Sequence, residues 1–352
     1  MEIEESYHNM SRRFEDLSFN DESSAFSDCN SDRSGEFASA SSQSRILRLS
    51  CAPDKTGDLI RQLVSDLDSR STEQQKQAAM EIRLLSKNQP ENRLKIARAG
   101  AIMPLISLIS SDEAQLQEYG VTAILNLSLC DENKETIVSS GAIRPLVGAL
   151  RTGTPTAKEN AACALVRLSQ TEENKVAIGR SGAIPLLVNL LEVGGFRGKK
   201  DASTALYSLC SVRRNKARAV QAGIMRPLVE LMADFGSRMV DKSAYLLNSL
   251  LAIPEARRAA VEEGGIPVVV EILEAGSQRQ KEAAAAILLQ FCEDSAAFRT
   301  MVVREGAIPP LIALSQTGTS RAKQKAEVVI ELLRQSRSDE VTAMVRPDVS
   351  VS

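Results

Sequence analysis

The stretch SSGAIRPLVGAL, Ser139 to Leu150, holds a glycine followed four residues later by a proline, and close variants of it recur along the chain. AGAIMPLISLI, SGAIPLLVNLL, AGIMRPLVELM, EGGIPVVVEIL and EGAIPPLIALS align with it on Gly100, Gly182, Gly223, Gly264 and Gly306, giving steps of 41, 41, 41, 41 and 42 residues when Gly141 is included. A fixed period near 40 residues marks a solenoid or a propeller. A propeller calls for strands and Gly-His and Trp-Asp signatures, whereas the single histidine is His8 and tryptophan is absent. Ile143, Leu146, Val147 and Leu150 fall at i, i+3, i+4 and i+7, the spacing of one helical face.

Each unit reads as three helices. A short one such as ENKETIVSS precedes the glycine, a medium one carries the proline, and a longer alanine-rich one such as TPTAKENAACALVRLSQ follows. The glycine is predicted to end the first helix in the left-handed conformation, where a Cβ is penalised. The proline (Pro104, Pro145, Pro185, Pro227, Pro267 or Pro309) falls in the first turn of the second helix, where its missing N–H has no intrahelical partner. A three-helix unit of this length separates armadillo from the two-helix HEAT pattern. The predicted fold is therefore all-α, a right-handed α-solenoid of armadillo repeats. The stretch beginning DLIRQLVSDLDSR matches only the second and third helices and reads as an N-terminal half-repeat; about six fuller repeats follow, to Ser336. Each unit leaves an apolar face that stacking buries.

Composition agrees with helix on helix. Of 352 residues 43% are hydrophobic but only 3% aromatic, so the core must be built from Ala, Leu, Ile and Val. Residues 1–57 hold thirteen serines and eleven acidic against six basic side chains, net −5, which leaves +3 for residues 58–352. Such a head cannot bury enough apolar surface to offset the entropy of ordering and is expected to be disordered, as is the tail 337–352. Tyr7, Phe14, Phe19, Phe26 and Phe37 nevertheless sit in the head, and RRFEDLSFNDES reads either as a docking motif or as an exposed linker. Ser18, with Asp21 three residues on, and Ser50, after Arg45 and Arg48, fit acid-directed and base-directed kinases.

The body is too weakly basic to argue for nucleic acid. Six cysteines, none in a C-x-x-C pair, suit a reducing compartment. No apolar run approaches a membrane span and the start MEIEES lacks a secretory pattern, so the expected location is cytoplasm and nucleus, with the protein acting as a monomer.

FRGKKDASTALYSLCSVRRNKARAVQAGIMRPLVELM, ENKVAIGRSGAIPLLVNLL and EGAIPPLIALSQTGTSRAKQKAEVVIELLR resemble repeats of the plant armadillo family, above all the armadillo regions of plant U-box ubiquitin ligases. The head DCNSDRSGEFASASSQSR is similar to that of armadillo-only proteins of the U-box protein 4-like type. A U-box has a Cys-Pro-Ile type start and a tryptophan-bearing helix, which nothing here fits. The resemblance implies recognition of a protein partner in ubiquitin, hormone or stress signalling; ligase activity does not carry over with the repeats.

Catalysis needs a convergent set of groups, and the body has no histidine. Cys210 and Cys292 occupy equivalent positions, as packing would produce, and GGFRGKK (194–200) reads as a turn into a helix rather than a phosphate loop. No enzyme activity, cofactor or metal is expected. The third helices are expected to line a concave groove. In armadillo import adaptors each carries a tryptophan and an asparagine four residues apart. That register here holds Met80 and Leu84, Thr122 and Asn126, Cys163 and Arg167, Thr204 and Ser208, Tyr245 and Ser249, Ala286 and Gln290, where only Asn126 matches. This argues against import of basic signals, yet Thr122, Asn126, Arg167, Thr204, Ser208, Tyr245, Ser249 and Gln290 remain the expected groove residues.

A second register, at the start of each third helix, reads Lys76, Gln117, Lys158, Lys199, Val240, Lys281 and Lys323, with Lys200 beside Lys199. It is either a solvated helix start or a basic rail that meets acidic or phosphorylated segments. Lysine in a first helical turn opposes the helix dipole, so local helix stability does not explain it. The expected function is an interaction scaffold holding an extended partner segment in the groove; the alternative is a substrate-recognition adaptor in ubiquitin ligation.

Overall fold

The computed structural model describes residues 53–293 and 295–344. Most of the expected disordered head, with Ser18, Ser50, Cys29 and Cys51, lies outside the described residues. The described chain is helical, with no strand among the described residues, and falls into two compact units that divide between Gly223 and Ile224.

The first unit contains α1 (Pro53–Leu67), α2 (Thr72–Asn88), α3 (Pro90–Arg98), α4 (Ile102–Ile109), α5 (Ala114–Leu127), α6 (Asp131–Ser139), α7 (Ile143–Thr152), α8 (Pro155–Leu168), α9 (Glu172–Arg180), α10 (Ala183–Val193), α11 (Phe196–Leu209) and α12 (Arg213–Gln221). The second contains α13 (Met225–Ala233), α14 (Val240–Leu250), α15 (Pro254–Glu262), α16 (Gly265–Ala275), α17 (Gln278–Glu293), α18 (Ala296–Arg304), α19 (Ile308–Thr317) and α20 (Ser320–Met344). Helices α1 and α2 form the half-repeat; thereafter short, medium and long helices alternate as the period requires.

Helix extents differ from expectation at both ends. α1 begins at Pro53, so residues 53–57 are helical: proline suits a first helical position because its ring pre-sets φ. α20 runs to Met344, and from Arg321 to Val345 the sequence offers no glycine or proline to stop it.

The corner behaves as its residues dictate. After α6, Gly141 has φ 85°; its N–H donates to Val138 O at 2.9 Å and the Ala142 N–H to Ile137 O at 3.3 Å, which satisfies two carbonyls of the helix end. Gly100, Gly182, Gly223, Gly264 and Gly306 share the positive φ. Beyond the corner, α7 buries Leu146, Val147, Ala149 and Leu150, while Ile143 is half-buried. Each buried leucine contributes roughly 1.5–3 kcal/mol of transfer free energy.

A second periodic device secures the short helix to the end of the preceding long one. The side-chain amides of Asn92, Asn133, Asn174 and Asn215 donate to Leu85, Leu127, Leu168 and Leu209 carbonyls at 3.2, 3.1, 2.9 and 2.9 Å. Asn133 and Asn215 also reach back one repeat, to Arg93 O at 3.3 Å and Lys175 O at 2.9 Å. In the second unit arginines one position later take this role: Arg257 Nε donates to Leu251 O at 2.8 Å and Arg299 Nε to Cys292 O at 2.6 Å. These are orphan carbonyls of helix ends, which need an outside donor.

Candidate interaction surface

Within the first unit the long helices α2, α5, α8 and α11 lie side by side; within the second, α14, α17 and α20 do so. Polar side chains on them could serve a partner or each other. The register matching the import adaptors serves the protein itself. Asn126 is 1% exposed, and its Nδ2 donates to Arg83 O at 3.1 Å and Ser86 Oγ at 3.3 Å on α2. The hydroxyls of Ser208 and Ser169 are 2.8 Å apart. In the second unit Gln290, at the position equivalent to Asn126, donates from Nε2 to Asn248 O at 2.9 Å and Asn248 Oδ1 at 2.7 Å. At these three positions the same line ties a long helix to the one before.

The other expected groove residues are also engaged. Thr122 donates to Glu118 O at 2.7 Å and accepts from Asn160 at 2.8 Å; Thr204 donates to Lys200 O at 2.9 Å. Tyr245 accepts from Arg279 Nε at 2.8 Å, with that guanidinium 5.2 Å from its ring centroid. Arg167 and Ser249 are half-buried. The long helices are packed so closely by their alanines that Asn126 and Asn160 meet the neighbouring helix, while the hydroxyls of Thr122 and Thr204 turn back on their own.

The lysine register differs. Lys76, Lys158, Lys199, Lys200, Lys281 and Lys323 are all half-buried. Lys76 pairs with Glu113 at 3.3 Å and Glu73 at 3.4 Å; burial opposes its charge, but the two carboxylates prevail and raise its pKa. Lys158, Lys199, Lys281 and Lys323 form no ion pair among the described residues.

At Lys158 and Lys281 the sequence neighbours, Glu159 and Glu282, explain why, and Glu118 holds the same position after Gln117. The carboxylates one position on are turned toward the next helix start, where N–H groups and the helix dipole attract them. Glu118 accepts from Thr154, the cap of α8, and Glu282 accepts from Thr319 at 2.7 Å and pairs with Lys325 at 3.3 Å. Glu159 faces Arg197 in the first turn of α11, at 3.6 Å. The acids are absorbed by repeat-to-repeat links, and Lys158 and Lys281 beside them are left as net positive charge.

Arg197 also donates to Asn160 at 2.6 Å and stands 3.5 Å from Asp201. Asp201 is 3% exposed; burial, against the attraction of Arg197, pushes its carboxyl up to about 6. Burial likewise raises Glu159.

Among the described residues no thiol is poised as a nucleophile: burial pushes Cys210 and Cys292 up to about 12, Cys163 is buried, and burial together with Glu132 raises Cys130. Among the described residues no cluster of three metal-ligating side chains occurs, and no single helix is long and apolar enough to cross a membrane. An open notch recurs between successive repeats. One, of about 540 Å³, is lined by Ile109, Gln117, Arg144 and Pro145; its counterpart, of about 360 Å³, has Leu273, Lys281 and Pro309.

A family model described as the plant U-box protein ARM repeat region matches residues 59–346. The chain belongs to that family. Among its relatives, U-box domain-containing protein 11 of Arabidopsis thaliana is 49% identical over 76 residues, 21% of this chain and 12% of that protein. E3 ubiquitin-protein ligase SPL11 of Oryza sativa subsp. japonica is 51% identical over 70 residues, 20% and 10% of the two chains. The matched segments therefore span about a tenth of those relatives. An engineered protein of solved structure superposes with a TM-score of 0.70 at 26% identity, over 78% of this chain and 68% of that one. Computationally designed armadillo repeat proteins for modular peptide recognition give 0.50 at 20% identity, over 78% and 99%. The fold of this ARM-repeat family member is an armadillo α-solenoid, a non-catalytic scaffold.

The asparagine line of the short helices and the Arg197 cluster were not anticipated. The first was available: Asn92, Asn133, Asn174 and Asn215 recur at the same 41-residue step as the glycines. The second was available in part: Arg197, Arg238, Arg279 and Arg321 recur at the step of 41 or 42 residues, whereas Asp201 occurs once in its register.

Proposed function

We propose that this protein is an interaction scaffold whose first unit binds an extended acidic or phosphorylated protein segment along the starts of its long helices, in the cytoplasm and nucleus. The carrying observation is that Lys158 and Lys199 are unpaired while Glu118 and Glu159 beside the register are consumed by links to the next repeat. Charge is thereby separated: acids inward, ammonium groups at the lip. The designed neighbours' name, armadillo repeat proteins for modular peptide recognition, supports the use of such a surface. The test is fluorescence anisotropy with an acidic phosphoserine peptide against the full chain and its K158E/K199E variant. Affinity should fall about tenfold or more on charge reversal and weaken with salt. Equal affinity for both proteins overturns the reading.

A second reading, an adaptor in ubiquitin ligation, is favoured by the relatives' names, U-box domain-containing protein and E3 ubiquitin-protein ligase. There the scaffold would present a bound substrate to a separate ligase. Addition of the chain to a ubiquitination reaction should raise modification of its bound partner only when a ligase is present.

A further inference from the structure

The turn between α10 and α11 exposes two large apolar side chains, Val193 at 71% and Phe196 at 57%. Phe196 and Lys199 are three residues apart on α11 and so share one side of that helix. Arg197, between them, faces Glu159 and Asn160 on α8, which directly follow Lys158. An apolar knob and two unpaired ammonium groups thus meet at one corner of the first unit. Exposed apolar side chains rimmed by polar ones mark a contact site, and the two unpaired ammonium groups beside these ask for aromatic residues interleaved with carboxylates.

The chain itself contains such a segment. FEDLSFNDE, Phe14 to Glu22, alternates Phe14, Leu17 and Phe19 with Glu15, Asp16, Asp21 and Glu22, and has no basic residue. Thirty residues, Ser23 to Ala52, join it to the start of α1. A coil of that length spans about 30 Å on average. From α2 to α11 there are three steps between long helices, at roughly 8–10 Å each, again about 30 Å. Effective concentration is greatest when linker length matches the span.

We propose that residues 14–22 dock in cis on the corner formed by Val193, Phe196, Lys158 and Lys199, and compete there with acidic partners. This rests on the binding role given above to the lysines. The test is carbodiimide cross-linking of the full chain, which joins carboxylates to amines at contact distance, read by mass spectrometry on a mixture of isotope-labelled and unlabelled protein. Glu15, Asp16, Asp21 and Glu22 should link to Lys158 and Lys199 within one chain, and F14A/F19A should abolish the links without disturbing the repeats. Links between chains assign the corner to a second copy and overturn the proposal; so do links spread evenly over other lysines.

Anisotropy with the acidic phosphoserine peptide separates the two readings. F14A/F19A should tighten peptide binding about tenfold, as a tethered competitor is removed. Peptide binding that needs Lys158 and Lys199 but ignores F14A/F19A retains the scaffold reading and sinks the cis contact. Intrachain links in a protein that binds no peptide do the reverse.

Discussion

Asp201→Asn should stabilise the protein, and the gain should depend on pH in a defined sense. Asp201 is buried on α11 beside Arg197, which must also serve Glu159; one guanidinium faces two carboxylates at 3.5 and 3.6 Å. The Asp201 carboxyl moves from 3.8 to about 6. A folded-state value above the unfolded one means that folding favours the protonated acid. Stability from this group is therefore full below the unfolded value, is lost as pH rises from about 4 to about 6, and stays lost above. A tenfold change in proton affinity corresponds to about 1.4 kcal/mol, so a rise of this size puts the loss at about 3 kcal/mol.

Asparagine keeps the size and hydrogen-bonding character of the protonated acid but does not ionise. Urea denaturation of the parent and variant should show them equal within error at about pH 4 and separated by about 3 kcal/mol in favour of the variant at about pH 8. A variant less stable at alkaline pH would mean that the Arg197 ion pair outweighs the cost of burial. A difference that does not change with pH would refute the reasoning altogether, because it would show that ionisation of Asp201 is not what the substitution removes.

Asn126→Ala removes donors to Arg83 O and Ser86 Oγ, so it should cost about 1–3 kcal/mol in urea denaturation yet leave phosphopeptide affinity unchanged. Gly179→Ala drives a methyl into the Asn215 side-chain amide, which must move and give up its carbonyl contacts; a loss of about 1–3 kcal/mol is expected by thermal or urea melting. Thiol labelling with iodoacetamide under native conditions should modify half-buried Cys130 while Cys163, Cys210 and Cys292 stay unmodified by mass spectrometry until denaturant is added.

The fold was legible because its corner is written in residues whose backbone preferences are unusual. Glycine at positive φ and proline in a first helical turn are local constraints, and Gly141 and Pro145 declare them without reference to anything distant. The half-repeat and the three-helix order follow from the same spacing. The site was less legible. Asn126 matches the adaptor pattern by identity and position, but whether its amide faces a partner or Arg83 depends on how closely two helices approach. That distance is set by alanines spread over both helices. Likewise the alternation Lys158-Glu159 reads as neutral in the sequence. It becomes net positive only when Glu159 is drawn to Arg197, a residue nearly forty positions away.

Periodicity and function pull in opposite directions in this protein. A side chain that recurs at every step must meet the same neighbour at every step, and the neighbour it meets is the next repeat. The asparagines of the short helices and Asn126, Ser208 and Gln290 of the long ones end in contacts of that kind. The inward carboxylates Glu118 and Glu282 follow suit, although they lie in different units. What stacking does not consume is the lysine beside Glu159 and Glu282, together with side chains that break the period, Val193 and Phe196 foremost. Specific recognition requires a surface that differs from one repeat to the next, since a uniform lip would bind any acidic chain in any register. Lys158 and Lys199 supply attraction common to many partners; the knob at Phe196, present once in its unit, fixes where along the lip a partner sits. Phe196→Ser should therefore leave salt-dependent binding of a featureless acidic peptide intact while weakening a peptide that carries phenylalanine among its carboxylates, and equal loss for both peptides would place the selectivity elsewhere.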